Sequence, residues 1–201
     1  MGTGKRGTTR PFPADPENSD PDTPPPVRFS GAAPIIVTAT MGAADQRWFD
    51  ALRAAHFPSE RNHLAAHVTL FHQLPPSALD ELDQLLRRIA ADTPPPPAML
   101  GAVYSLGQGV AFHIDSPDLL AIRARIADRF WGMLTAQDRG TPRLHITVQN
   151  KVTAAAARTL LARLAADFRP RPLAITGLAA HHYRGGPWEA ACARSFRGSR
   201  R

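Results

Sequence analysis

The chain has 201 residues, of which 43% are hydrophobic and 20% charged, the balance of a globular protein rather than a fibrous or wholly disordered one. Its single cysteine, Cys192, excludes an internal disulfide framework and any zinc site built from cysteines. The formal charge of +7 is concentrated in four arginines of residues 194–201, so the body is only mildly basic, suited to an anionic ligand but not diagnostic of one.

Residues 1–33 contain seven prolines and no periodic apolar pattern. They cannot bury enough surface to offset their ordering entropy and are expected to form a disordered tail. Lys5, Arg6 and Arg10 have no apolar run behind them, so no signal peptide is read and a reducing, cytoplasmic location is expected. No apolar run approaches the roughly 20 residues of a membrane span, and no membrane partner is expected.

The folded part is expected over 34–196, followed by a basic tail over 197–201. Ile35 to Thr40 is β-branched and reads as a buried strand. Trp48, Leu52 and Ala55 recur at helical spacing and predict a helix ending before Pro58. His67 to Leu74 reads as a strand, and Ser77 as the cap of a helix carrying Leu79, Leu82, Leu85, Leu86 and Ile89. Pro94 to Pro97 end that helix. Two strands, 98–106 and 110–115, flank Gly107-Gln108-Gly109 as a hairpin. Ser116 and Pro117 open a helix with Leu119, Leu120, Ile122, Ile126, Phe130 and Leu134. Leu144 to Asn150 is a strand, Thr153 caps a helix to Phe168, and 173–183 with 188–196 form a last hairpin around Gly185-Gly186-Pro187.

The order helix, strand, helix, hairpin occurs twice, with lobes expected at roughly 34–115 and 116–196. This predicts an α+β fold, duplicated and bilobal, in which two antiparallel sheets line a central groove and helices pack outside. There is no G-x-G-x-x-G or Walker pattern.

Two of the strands carry His67-Val68-Thr69-Leu70 and His145-Ile146-Thr147-Val148, the same pattern 78 residues apart in sequence. Alternation along a strand sets His67, Thr69 and Phe71 on one face, and Arg143, His145, Thr147, Gln149 and Lys151 on one face of the other. The apolar residues between them turn to the helices. One such motif means little; two at matching places in a repeated order predict histidines facing each other across one groove.

These motifs resemble those of the two-histidine (2H) phosphoesterase superfamily, the 2′-5′ RNA ligase and cyclic phosphodiesterase-like proteins. The likeness spans about residues 34–196, and Glu60-Arg61-Asn62-His63, Gln149-Asn150-Lys151 and Tyr183 to Trp188 look like a bacterial subgroup. One departure is that Arg143 stands two residues before His145, whereas Ala65 holds the matching position before His67. The resemblance implies a phosphodiesterase acting on a 2′,3′-cyclic or 2′-5′ ribonucleotide phosphodiester, with no metal or other cofactor. RNA or a nucleotide is the expected partner and a monomer the expected state. The alternative is a non-catalytic nucleotide- or RNA-binding module on the same fold.

The chemistry also follows from the residue types. Cleaving a phosphodiester beside a ribose hydroxyl needs a base for the nucleophile and an acid for the leaving oxygen. Histidine, with a reference pKa of about 6.5, can serve as either. The Thr69 and Thr147 hydroxyls can donate to phosphoryl oxygens, and Arg143 can add a charge-assisted contact. Phe71, Gln149 and Lys151 are further candidate substrate contacts. His63 and His67 are four apart but lack the glutamate of a zinc-protease helix, so no metal site is read there. His72, five residues beyond His67, is expected to face away from it as a hydrogen-bonding residue.

Overall fold

β-Branched and apolar residues from Ile35 onward form β1 (Ile35–Met41), a strand buried except at Thr40, on which one sheet is built. The computed structural model describes residues 33–199. The tail expected over 1–33 lies outside these residues except for Ala33, which is buried.

Helix α1 (Ala43–His56) follows, then β2 (Val68–Leu74), α2 (Leu79–Asp92), β3 (Met99–Ser105) and β4 (Val110–Asp115). The second half contributes α3 (Pro117–Phe130), the single turn α4 (Ala136–Arg139), β5 (His145–Gln149), α5 (Ala154–Asp167), the two-residue β6 (Arg171–Pro172), β7 (Ile175–His182) and β8 (Glu189–Ser195). Two caps occur as read from sequence. Ser116 accepts from the Leu119 amide at 3.3 Å and Thr153 from the Ala156 amide at 3.2 Å, satisfying helix-end donors that have no partner within the helix. Ser77 does not cap α2; it lies in a 3-10 turn that runs straight into the helix. Gly107 and Gly185 take positive φ at the two hairpin turns.

Helix α1 forms where Trp48, Leu52 and Ala55 predict it, and Leu52 packs against the core. Phe49 is the apolar residue driven inward, with Asp45 and Arg53 beside it, while Trp48 is 37% exposed. Hydrogen bonds offset the burial of the polar heads: Asp45 accepts from Arg171 and the Ala174 amide, and Arg53 donates to backbone carbonyls.

The strands form two four-stranded antiparallel sheets, ordered β2-β1-β7-β8 and β5-β4-β3-β6. The expected α+β architecture is present, but the sheets do not follow the halves of the sequence. The hairpin β3–β4 pairs with β5 of the second half, and β7–β8 returns to pair with β1. Each sheet therefore holds strands from both sides of residue 115. The motif strands β2 and β5 are the corresponding edges of their sheets and touch each other.

The helices also cross over. Helix α1 packs on β5, α5 on β3 and β4, and α2 on β7 and β8. The chain is pinned as far as Gly198: Arg197 and Gly198 donate backbone bonds to Ala90 and Thr93, and Arg194 pairs with Asp83. A side chain on Gly198 would collide with the Thr93 backbone, so this close approach requires glycine. No helix among the described residues is long and apolar enough to cross a membrane.

Candidate active site

Both motif histidines are held in the same way. The Nδ1 of His67 bonds the carbonyl of Ala65 at 2.8 Å, and the Nδ1 of His145 bonds the carbonyl of Arg143 at 2.7 Å. A carbonyl can only accept, so Nδ1 carries the proton in each ring. Each Nε2 is then a base when the ring is neutral and an acid when it is protonated. The position two residues before each histidine thus acts through its backbone, and the Ala65-for-Arg difference leaves that device intact.

Helix α1 fixes the approach to His67. Asp50 accepts from the Ala66 amide at 2.7 Å, Gln46 donates to the Ala66 carbonyl at 2.8 Å, and Arg53 donates to the Leu64 carbonyl at 3.2 Å. Arg53 also reaches across to the Thr147 carbonyl on β5 at 2.9 Å, with its guanidinium over the Phe57 ring. Arg123 of α3 is its counterpart. It donates to the Leu70 carbonyl on β2 at 2.9 Å and lies over Phe71. Each buried arginine comes from the first helix of one half; Arg53 thereby ties that helix to the motif strand of the other half. This exchange meets one backbone carbonyl on each of the edge strands β2 and β5.

Two cavities adjoin the motif strands. One, of about 390 Å³, is lined by His67 with Thr38, His63, Asp50, His181 and Trp188. The other, of about 310 Å³, brings Thr69 of the first motif together with His145 and Arg143 of the second, alongside Tyr104 and His72. In the first, the Trp188 ring lies 4.5 Å from that of His67, and His181 bonds Thr38 Oγ1 at 3.1 Å. Burial lowers the His181 pKa from its ordinary value, and the charge of nearby His67 lowers it further. In the second, Tyr104 stands edge-on to His145 at 6.3 Å, with Arg143 over the Tyr104 ring. Each histidine thus has an aromatic neighbour from the hairpin of its own sheet.

The other expected contacts line neither cavity. Thr147 is 3% exposed and meets Arg53 through its carbonyl. Gln149 is buried at the far end of β5, opposite Val110 and under Gly109. Lys151 lies beyond the strand in a left-handed conformation, φ 60°. Phe71 is a core residue with no exposed surface. The physical reason is a β-bulge: Thr38 pairs with Thr69 and Val37 with Phe71, so Leu70 and Phe71 together oppose one residue and both turn inward. Arg53, Trp188, Tyr104 and Asp138 were not assigned site roles from sequence. Only Trp188 carried a signal, as an aromatic beside a turn. Among the described residues no three His, Cys, Asp or Glu side chains group as metal ligands would.

The profile of the 2′-5′ RNA ligase superfamily matches residues 42–187, most of the chain and both motifs. The chain belongs to that superfamily. Among solved structures it is similar to TT0787 of Thermus thermophilus, with a TM-score of 0.56 and 14% identity over 83% of this chain and 100% of that one. It is also similar to E. coli LigT complexed with NADP+, with a TM-score of 0.54 and 16% identity over 83% and 99% of the two chains. A third neighbour, described as a phosphoesterase, gives a TM-score of 0.56 at 17% identity, covering 83% of this chain and 99% of its own. These likenesses show the fold. Among curated proteins no significant match is found.

Proposed function

We propose that the protein is a 2H-type phosphodiesterase that cleaves 2′,3′-cyclic or 2′-5′ ribonucleotide phosphodiesters, with His67 and His145 as its proton-transfer pair. The observation that carries this is the matched fixing of both imidazoles by the carbonyl two residues back, each leaving Nε2 as the working atom. Thr69 and Arg143, which share a cavity with His145, bind the phosphoryl oxygens. In cleavage one neutral Nε2 takes the proton of the attacking water or hydroxyl, and the other, protonated, gives one to the leaving oxygen. The Thr69 hydroxyl, which meets no protein partner among the described residues, donates to charge building on the phosphoryl group. Two imidazoles supply both transfers, so the scheme needs neither metal nor cofactor. A nucleotide ligand is supported by the LigT relatives solved with NADP+ and with 3′-AMP. The protein is read as cytoplasmic and monomeric.

The test is a panel of nucleoside 2′,3′-cyclic phosphates and 2′-5′-linked dinucleotides assayed with EDTA present. Turnover of at least one class, undiminished by EDTA, is expected. Binding without turnover across the panel points instead to a nucleotide-binding module, and loss of activity in EDTA overturns the metal-independent scheme.

A further inference from the structure

By strict alternation His72 would face away from Thr69. The extra residue at Leu70–Phe71 reverses that parity, and His72 lines the His145 cavity with Thr69 instead. Bulges beside functional sites commonly re-aim a side chain in this way. The displaced backbone remains satisfied, because the amides of His72 and Gln73 donate to the two carboxylate oxygens of Asp138 at 2.9 and 3.0 Å.

Asp138 also accepts from the Nδ1 of His72 at 3.0 Å. It is 1% exposed and sits in α4, the single turn that Thr135 caps. Burial alone would raise the Asp138 pKa, but the bonds from His72 and Gln73 more than offset it and hold the carboxyl below its ordinary value. Arg123 ties the assembly to α3 by donating to both the Leu70 and the Asp138 carbonyls. The result is one unmet atom. His72 lines the cavity, and its Nε2 is buried and meets no hydrogen-bond partner among the described residues.

The groups around His72 favour an anion. Asp138 from α4 already accepts at both oxygens, and Arg123 from α3 is engaged with carbonyls. Arg143 and His145 from the β5 side add cationic or proton-bearing groups, and the Tyr104 phenol from β3 is neutral. With Nδ1–H fixed on Asp138, the protonated ring presents Nε2–H as a charge-assisted donor. The scissile phosphate already has Thr69, Arg143 and His145. His72 is therefore available for something else.

Resting on the phosphodiesterase reading above, we propose that His72 determines specificity by binding a second phosphoryl group of the substrate, beside the one that reacts. Substrates that carry one phosphate leave Nε2 unmet, and those with another phosphoryl group within reach of the cavity engage it. The contact is made by Nε2–H of the imidazolium, whose Nδ1–H Asp138 holds.

The test compares adenosine 3′-monophosphate with adenosine 3′,5′-bisphosphate by titration calorimetry, on the full chain and on His72→Gln and His72→Asn, at pH 6. Wild type is expected to prefer the bisphosphate by about tenfold or more, the scale of one charge-assisted hydrogen bond. Either substitution should abolish the preference. Equal binding of the two nucleotides by wild type, failure of either to bind, or a preference that survives His72→Gln overturns the proposal. If His72→Gln does not fold, His72→Asn decides by the same criterion. None of these equilibria needs turnover. A His72-dependent preference without cleavage of any cyclic phosphate or 2′-5′ dinucleotide would sink the phosphodiesterase reading and leave this subsite standing; cleavage without the preference does the reverse.

Discussion

Replacing Arg53 by Met tests the cross-tie between the two halves. The methionine keeps apolar bulk over Phe57 but deletes donors to the carbonyls of Leu64 and Thr147. Arg53 is 4% exposed, so water cannot readily replace what is lost. Each carbonyl left unmet costs about 1–3 kcal/mol, which gives about 2–6 kcal/mol for the pair. Removing a buried cation recovers part of its desolvation cost, so the lower half of that range is expected. For a domain of this size the loss lowers Tm by roughly 4–16 °C. Activity should fall as well, by more than about tenfold in kcat, because the two carbonyls belong to the segments that present His67 and His145. Thermal and urea unfolding measure the first effect, and steady-state kinetics below the new transition measures the second. Arg53→Lys, with one compact donor for two acceptors, should fall between. A methionine variant within about 0.5 kcal/mol of wild type and equally active would show that the tie neither holds the halves together nor positions the histidines.

Two pH predictions follow from the groups around the site. His181 has a lowered pKa, first from burial and then from His67, so NMR titration should find it below about 6.5, and His67→Ala should raise it partway. Its stabilising contribution is complete above the unfolded value and is lost as pH falls through the folded one, and His181→Gln should flatten that part of the stability curve. Asp138 follows the same sign in a lower window: wild-type stability should fall as pH drops from about 4 through its depressed pKa, and Asp138→Asn should be less stable at neutral pH but show a shallower acid limb.

The parts of the fold legible in sequence are those set by local chemistry. Ser116 and Thr153 announce their helices because a hydroxyl before an apolar period has one strong use. The His-x-Thr motifs are legible because their repetition is itself the signal. Alternation fails at Phe71 and His72, since a bulge flips the side chains beyond it until the second register shift before Leu74, and nothing in Leu70-Phe71 except two adjacent apolar residues hints at it. In α1 the spacing of Trp48, Leu52 and Ala55 marks the helix but not the full burial of Phe49, whose neighbours Asp45 and Arg53 are polar and are buried only by finding tertiary partners. The exchange of hairpins between sheets is a matter of long-range pairing, and neither hairpin's own sequence specifies which motif strand shares its sheet. Trp188 and Tyr104 reach the histidines through that exchange.

The central claim is that His67 and His145 divide one acid and one base between them. It is tested most directly by the pH dependence of kcat/KM on a confirmed cyclic phosphate or 2′-5′ dinucleotide substrate, for wild type and for His67→Ala and His145→Ala, with folding checked by circular dichroism. Wild type should give a bell whose two limbs report one neutral and one protonated imidazole. Each alanine variant should remain folded, lose about 10²–10⁴-fold in rate, and lose one limb of the bell, the opposite limb in the two variants. A variant that keeps both limbs, or a double variant as active as wild type, would contradict the assignment.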